Sequence, residues 1–146
     1  MSDLRELYQQ VIIDHNKNPR NFHSLDPFSH TAEGYNPLCG DRMTLWLEIE
    51  DGIVKDVGFQ GAGCAISQAS ASMFTQAIKG RPVEEVEELS RKFQALITGE
   101  TDEIEELGKL KIFIGVRDFP SRVKCATLSA HTILAALNNE STVTTE

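Results

Sequence analysis

Three cysteines and one aspartate are the residues of this sequence with the clearest capacity for metal or sulfur chemistry. Cys39 lies in the turn-rich segment NPLCGD, and Cys64 lies between a glycine-rich turn and a predicted helix. Cys125 lies about one turn inside a second predicted helix. A helix start carries unpaired N–H groups and a partial positive charge, which favour thiolate over thiol. Asp41 is separated from Cys39 by one glycine and can reach the same ion. Three thiolates and a carboxylate form a four-coordinate set suited to zinc or to an iron–sulfur cluster.

The residues alone leave a second interpretation open for these cysteines. A free cysteine is often simply a small buried hydrophobic residue. The sequence contains no CxxC motif, and the three cysteines are far apart along the chain. The turn and helix-start positions, together with the Cys-Gly-Asp tripeptide, therefore make the metal site and the structural interpretation about equally supported.

Composition limits the kinds of partner that the chain can have. Its 146 residues include 22 Asp+Glu against 14 Lys+Arg, for a formal net charge of −8. So acidic a chain cannot neutralise many phosphates, and we expect neither a nucleic acid nor a membrane as partner. The charge is compatible with a basic patch on a protein partner, but an ordinary solvated acidic surface is the favoured explanation. The length and the absence of a linker predict one domain over 1–146.

The sequence also indicates a cytoplasmic location. No apolar run approaches the roughly 20 residues needed to span a bilayer, and the first residues lack the basic and apolar regions of a signal peptide. In a reducing compartment, three cysteines do not form a disulfide framework. We therefore expect them to be free thiols, metal ligands or nucleophiles.

Hydrophobic periodicity predicts the elements that must position these residues. A first helix ends at 18–19, where Asn-Pro stops it. Residues 43–49 alternate between apolar and polar, Asp-Gly at 51–52 is a strong hairpin signal, and 53–59 returns as a second strand. A weaker strand pattern covers 29–35. Because helices follow the strands, the pattern predicts an α+β fold with a small antiparallel sheet of about three strands packed with helices.

The remainder of the chain is predicted to be mainly helical. Three longer helices are predicted, at 65–78, 82–98 and 122–137. Residues 101–107 predict a short acidic helix, and 111–116 fit a strand by propensity but follow a helical context. The segment from Ser141 has little to bury, so we expect it to be frayed.

Three motifs in order resemble a known family: NPLCGD at 36–41, GAGCAISQASAS at 61–72 and RVKCATL at 122–128. With them the chain resembles the U-type iron–sulfur cluster assembly family of IscU and NifU N-terminal-like proteins. A helical segment at about 80–101 and the lysine at Lys124, where IscU scaffolds have histidine, indicate its SufU branch. His131 stands where SufU-like sequences often carry tryptophan, which we interpret as a change in packing.

This resemblance implies a zinc-dependent acceptor of persulfide sulfur, a sulfurtransferase-type role. The implied partner is a PLP-dependent cysteine desulfurase of the Suf type, and a downstream cluster scaffold or apo-proteins would receive the sulfur. The implied zinc ligands are Cys39, Asp41, Cys64 and Cys125. A histidine of the desulfurase would replace Cys39 on the metal, and the freed Cys39 would accept the sulfur. Arg122 is a candidate to stabilise anionic sulfur, although a solvated arginine at a helix start explains it equally well.

Three alternative functions remain open at this stage. The same four ligands suit iron or a [2Fe–2S] cluster on a scaffold that assembles and transfers it. A structural zinc module without sulfur chemistry would unfold when zinc is removed, and Cys39→Ala would leave desulfurase turnover unchanged. A Cys–His hydrolase has the least support, because no motif ties His15, His23, His30 or His131 to a cysteine.

Overall fold

A four-stranded sheet with helices packed against it forms the fold, in a computed structural model that describes residues 2–102 and 107–145. The strands are β1 (His30–Asn36), β2 (Asp41–Glu50), β3 (Ile53–Ala62) and β4 (Thr142–Thr144). The helices are α1 (Ser2–Lys17), α2 (Ala65–Ile78), α3 (Val83–Ile97), a 3₁₀ helix (Gly108–Asp118) and α4 (Pro120–Leu137). The predicted α+β class is confirmed. Within the described ranges, no helix is long and apolar enough to cross a membrane.

The predicted hairpin lies at the centre of the sheet, whose strand order is β3-β2-β1-β4. β2 pairs antiparallel with both β1 and β3. Asp51 and Gly52 both have positive φ, 54° and 74°, which is the backbone of the tight hairpin turn that Asp-Gly favours. Along β2 the side chains of Met43, Leu45 and Leu47 are buried at every second position, so one face of the strand lies on the core.

The helices cover one face of this sheet. Phe74 of α2, Phe93 of α3 and Phe113 of the 3₁₀ helix make successive edge-to-face ring contacts, with centroids 5.1 and 5.9 Å apart. At Gly34 of β1, an added Cβ would collide with the hydroxyl of Thr132 in α4. This glycine therefore lets α4 lie close against β1, which brings the beginning of α4 to the end of the sheet where the cysteines lie.

The structure decides one open assignment of local structure and contradicts one prediction. Residues 111–116, whose propensity fits a strand but whose context is helical, belong to the 3₁₀ helix, whose buried Leu110, Phe113 and Val116 recur every third residue, the 3₁₀ period. The prediction that the segment from Ser141 is frayed is wrong for residues 141–145, because β4 pairs in parallel with β1, and Glu146 lies outside the described residues. Backbone hydrogen bonds to a strand edge fix this segment, and such bonds leave no pattern in the sequence. Residues 103–106 of the predicted helix at 101–107 lie outside the described residues.

Candidate metal centre

The β1–β2 connection presents Cys39 to solvent. Asn36 and Asp41 are paired at the ends of the two strands, and the turn between them is closed by a hydrogen bond from the Cys39 N–H to the Asn36 carbonyl. Gly40 has φ 73°, a left-handed conformation that glycine adopts without strain. Because of this turn, Cys39 is exposed while the adjoining Asp41 points into the protein and is only 2% exposed.

The Asp41 carboxylate joins the sheet to the start of α2. Its Oδ1 accepts a hydrogen bond of 2.8 Å from the backbone N–H of Cys64, and its Oδ2 accepts one of 2.9 Å from the Asn36 side-chain amide. A Cβ added at Gly63 would lie 2.5 Å from both Asp41 Oδ1 and the Ser67 hydroxyl. Gly63 is therefore needed so that the chain can pass this close to the carboxylate.

Cys125 forms the buried side of the cluster. Its Sγ is 3.3 Å from Cys39 Sγ, and both sulfur atoms lie near the carbonyl of Ser121, at 3.9 and 3.8 Å. The side chain of Cys125 is fully buried. Burial, together with the contact to Cys39, raises the pKa of the Cys125 thiol. The prediction that a helix start favours the thiolate is thus wrong for Cys125 in the metal-free chain, since this residue lies beyond the first turn of α4.

Cys64 is next to the cluster formed by the other three residues, but its sulfur is not part of that cluster. The side-chain ligand atoms of Cys39, Asp41 and Cys125 all lie within 4.8 Å of one another, and the Cys64 sulfur is not in this group. Cys64 occupies the position just before α2, is half-buried, and its thiol interacts with that of Cys125. The structure therefore brings three of the four predicted ligands together and leaves the fourth next to them.

Arg122 lies one turn before Cys125 on α4, with its guanidinium at the cluster. A hydrogen bond to Cys125 and then the charges of the Cys64 and Cys125 sulfur atoms raise the pKa of this arginine. Its side chain thus faces the sulfur atoms while remaining exposed to solvent. A guanidinium beside sulfur atoms can pair with negative charge on them, and the role predicted for Arg122 stays a prediction.

The histidines lie elsewhere within the part of the chain that the structure describes. His15 is buried, with Nδ1 2.7 Å from the Ser72 hydroxyl, and His131 contacts the amide of Gln94. Neither belongs to the cluster of candidate ligands. This agrees with the expectation that the histidines are structural or exposed.

Asn36 is the residue of this region that the sequence reasoning missed. It is completely buried, and its Nδ2 donates to Asp41 Oδ2 at 2.9 Å and to Cys125 Sγ at 3.5 Å. The only signal in the sequence is its place at the start of NPLCGD, where Asn before Pro indicates a turn. Nothing in that pattern indicates that the side chain bonds to two candidate ligands.

The donor set fits zinc or the iron of an iron–sulfur cluster. Both are bound by cysteine sulfur, and a carboxylate oxygen is an ordinary zinc ligand. The buried carboxylate of Asp41 is already oriented by two hydrogen bonds, an arrangement typical of metal-binding carboxylates. The exposed sulfur of Cys39 is the ligand atom that a partner can reach.

Comparison with known proteins gives matches along most of the chain. Residues 7–126 match the NifU-like N-terminal domain. The zinc-dependent sulfurtransferase SufU of Bacillus subtilis (strain 168) is 47% identical over 88% of this chain and 87% of its own length. The iron–sulfur cluster assembly scaffold protein IscU of Thermotoga maritima is 37% identical over 90% of this chain and 92% of its own.

A solved structure gives the same result at the level of the fold. It comes from Fervidobacterium islandicum AW-1, and the protein is proposed to be an iron–sulfur cluster assembly scaffold for the SUF system. It superimposes with a TM-score of 0.84 at 32% identity, covering 87% of this chain and 93% of that one. With a match over most of its length and relatives of this similarity, the chain belongs to the NifU-like N-terminal domain family, as the SufU and IscU proteins do.

Proposed function

We propose that this chain is a zinc-dependent acceptor of persulfide sulfur for iron–sulfur cluster assembly. The proposed donor is a PLP-dependent cysteine desulfurase of the Suf type, and the proposed location is the cytoplasm. The observation that carries the proposal is the pairing of an exposed thiol, Cys39, with a buried thiol and a buried carboxylate, Cys125 and Asp41, within 4.8 Å. The 47% identity to a zinc-dependent sulfurtransferase supports it.

The proposed zinc ligands are Cys39, Asp41, Cys64 and Cys125. A bound zinc ion supplies a positive charge that keeps cysteine thiols deprotonated at neutral pH, and it has no redox chemistry of its own. The chain contributes the orientation of its ligands. Asp41 is held from both sides by the Cys64 N–H and the Asn36 amide. Among the described residues, the Cys39 side chain makes hydrogen bonds instead to the Ser121 carbonyl and the Cys125 sulfur.

The proposed transfer is a thiol–persulfide exchange at Cys39. The Cys39 thiolate attacks the terminal sulfur of the partner's cysteine persulfide, so that a new sulfur–sulfur bond forms and the partner's own sulfur–sulfur bond breaks. The electron pair of the broken bond leaves with the partner's cysteine as a thiolate, and Cys39 becomes the persulfide. The step needs no external oxidant or reductant. The guanidinium of Arg122, at the same cluster, stabilises the negative sulfur.

The first experiment measures the metal content and the visible spectrum of protein purified without chelator or oxygen. About one zinc per chain and no colour is the expected result, since four ligands make one site. The protein is then incubated with a cysteine desulfurase and free cysteine, and the added sulfur is located by mass spectrometry. We expect a persulfide on Cys39, no acceptance of sulfur by Cys39→Ser, and loss of zinc in Cys64→Ser and Cys125→Ser. Full activity of Cys39→Ser would exclude Cys39 as acceptor.

A second candidate function is a scaffold for a [2Fe–2S] cluster. The observation that favours it is the 37% identity to an IscU scaffold protein along nearly the whole chain. Three results would support this function over the sulfur acceptor: bound iron, sulfide-to-iron charge-transfer absorption in the visible spectrum, and transfer of the cluster to an apo-protein. A purely structural zinc site predicts a third set of results. Removal of zinc would unfold the protein, and Cys39→Ala would leave desulfurase turnover unchanged.

A further inference from the structure

We propose that Thr145, which follows β4, is a positioning residue for the candidate metal centre and acts through the side-chain amide of Asn36. This inference rests on the proposed metal-binding function and concerns residues outside the four proposed ligands. It links the segment after α4 to the end of the sheet where the cysteines meet, although Thr145 and Asn36 are 109 positions apart in the sequence.

Pairing of β4 with β1 brings Thr145 to the site. The Glu33 N–H donates to the Ser141 carbonyl at 2.8 Å, and the strands then run in parallel with Tyr35 opposite Thr144. One residue further, the Thr145 N–H donates to the Tyr35 carbonyl at 3.0 Å. Thr145 is consequently placed beside Asn36, the last residue of β1.

The Thr145 hydroxyl fixes which way the Asn36 amide faces. Thr145 is only 9% exposed, and its Oγ1 donates a hydrogen bond of 3.0 Å to Asn36 Oδ1. With the amide oxygen engaged by this donor, the NH₂ group faces the opposite way. It then makes both of its hydrogen bonds to candidate ligands, 2.9 Å to Asp41 Oδ2 and 3.5 Å to Cys125 Sγ. A carboxylate only accepts hydrogen bonds, and so does the Cys125 sulfur as a metal-bound thiolate, so in the metal-bound site the reversed amide would present oxygen to two acceptors.

The network distinguishes the ligands that are proposed to retain the metal from the one that is proposed to leave. Asn36 holds Asp41 and Cys125, and Asp41 in turn holds the backbone N–H of Cys64. The Cys39 side chain makes no hydrogen bond to the Asn36 amide among the contacts that the structure describes. Without the Thr145 hydroxyl, Asn36 Oδ1 would be buried without its donor, and the amide would lose its fixed orientation. The structure therefore assigns Thr145 and Asn36 to holding the retained ligands.

The test compares three variants by zinc affinity, measured by competition with a chromophoric chelator. Thr145→Val keeps the shape but removes the hydroxyl, and we expect zinc to bind about tenfold more weakly, the effect typical of losing an outer-shell partner. Thr145→Ser restores the hydroxyl and should restore the affinity of the original protein. Thr142→Val makes the same chemical change at an exposed position of β4 and should change nothing. If Thr145→Val does not fold, Thr145→Ala takes its place.

A second measurement, on the zinc-free protein, separates this inference from the proposed function. The rate at which an alkylating reagent modifies Cys125 should rise in Thr145→Val, because the Asn36 amide no longer fixes that side chain, and should stay unchanged in Thr142→Val. If the original protein binds no zinc but this difference is found, the metal function is wrong and the positioning network stands. Equal behaviour of Thr145→Val and Thr142→Val in both measurements would overturn the network, as would a Thr145→Ser variant that behaves like Thr145→Val.

Discussion

The β1–β2 loop and the first part of α4 each bring a cysteine sulfur to the same point, but the two sulfur atoms differ in exposure and in hydrogen bonding. Cys39 lies in a four-residue connection, is exposed, and has an exposed neighbour in Leu38. Cys125 lies inside a helix, is completely buried, and accepts a hydrogen bond from the Asn36 amide. Only 3.3 Å separates the two sulfur atoms.

This difference indicates a division of roles between two chemically identical side chains. A group that must meet a partner's cysteine has to be reachable, and loops supply reachable groups on a rigid scaffold. A group that must keep a metal in place is better held by packing and by hydrogen bonds from outside the ligand set. The loop and the helix provide these two environments. They support the proposed roles of Cys39 as sulfur acceptor and of Cys125 as the anchor, the ligand that retains the metal.

The largest effect expected from this comparison concerns the reactivity of the thiols in zinc-free, reduced protein. We predict that an alkylating reagent modifies Cys39 first, the half-buried Cys64 next and Cys125 last. Cys39 and Cys125 should differ by more than about tenfold, the change in thiolate fraction that one unit of pKa produces, because burial both shields Cys125 and raises its pKa. Mass spectrometry of peptides after timed quenching measures the three rates.

Denatured protein provides the control for this prediction. In concentrated urea the three cysteines should react at similar rates, because the differences come from the fold and not from the neighbouring sequence. If Cys125 of the folded protein reacted as fast as Cys39, the proposed division into acceptor and anchor would have no physical basis.

Much of the region around Cys39 was predictable from the sequence, and the region's connection to β4 was not. The alternation in β2 and the Asp-Gly turn are local signals, and they predicted the hairpin correctly. The motifs around the three cysteines identified the family. Asn36 and Thr145 meet only because β4 pairs with β1, and that pairing consists of backbone bonds that any residue can make. Neither periodicity nor composition contains such information.

A smaller effect is expected when the space around Asp41 is filled. Gly63→Ala should lower the free energy of unfolding by about 1–3 kcal/mol, because the new methyl group would lie 2.5 Å from Asp41 Oδ1 and from the Ser67 hydroxyl. Asp41 cannot easily move aside, since its Oδ1 is bonded to the Cys64 N–H. Urea denaturation of the zinc-free protein measures the change.

Gly115→Ala is the matched control for this substitution. A Cβ at Gly115 would meet no atom within 4 Å from the other described parts of the chain, so alanine there should be neutral or stabilise the protein by up to about 1 kcal/mol. If the two variants had the same stability, the close approach of Gly63 to Asp41 would not be a constraint on the site. The proposal that Asp41 is held rigidly as a retained ligand would then be weaker.

The smallest effect, a dependence of stability on pH, should come from outside the site. Burial, and then the charge of Arg20, lowers the pKa of His15 below its usual value of 6.5. Below about pH 6.5 the unfolded chain therefore binds this proton more readily than the folded chain, and the free energy of unfolding should fall as the pH decreases. One proton limits the slope to about 1.4 kcal/mol for each pH unit.

Urea denaturation of the zinc-free protein between pH 7 and pH 5 tests the origin of this slope. His15→Gln should reduce it, and part should remain because burial also lowers the pKa of His131. Cys125 should contribute nothing in this range, since an ordinary thiol, with a pKa of 9.0, is already neutral in the unfolded chain, and the raised pKa keeps it neutral in the folded chain. Parallel profiles of the original protein and His15→Gln would mean that another group, and not the buried His15–Ser72 pair, controls the loss of stability in acid.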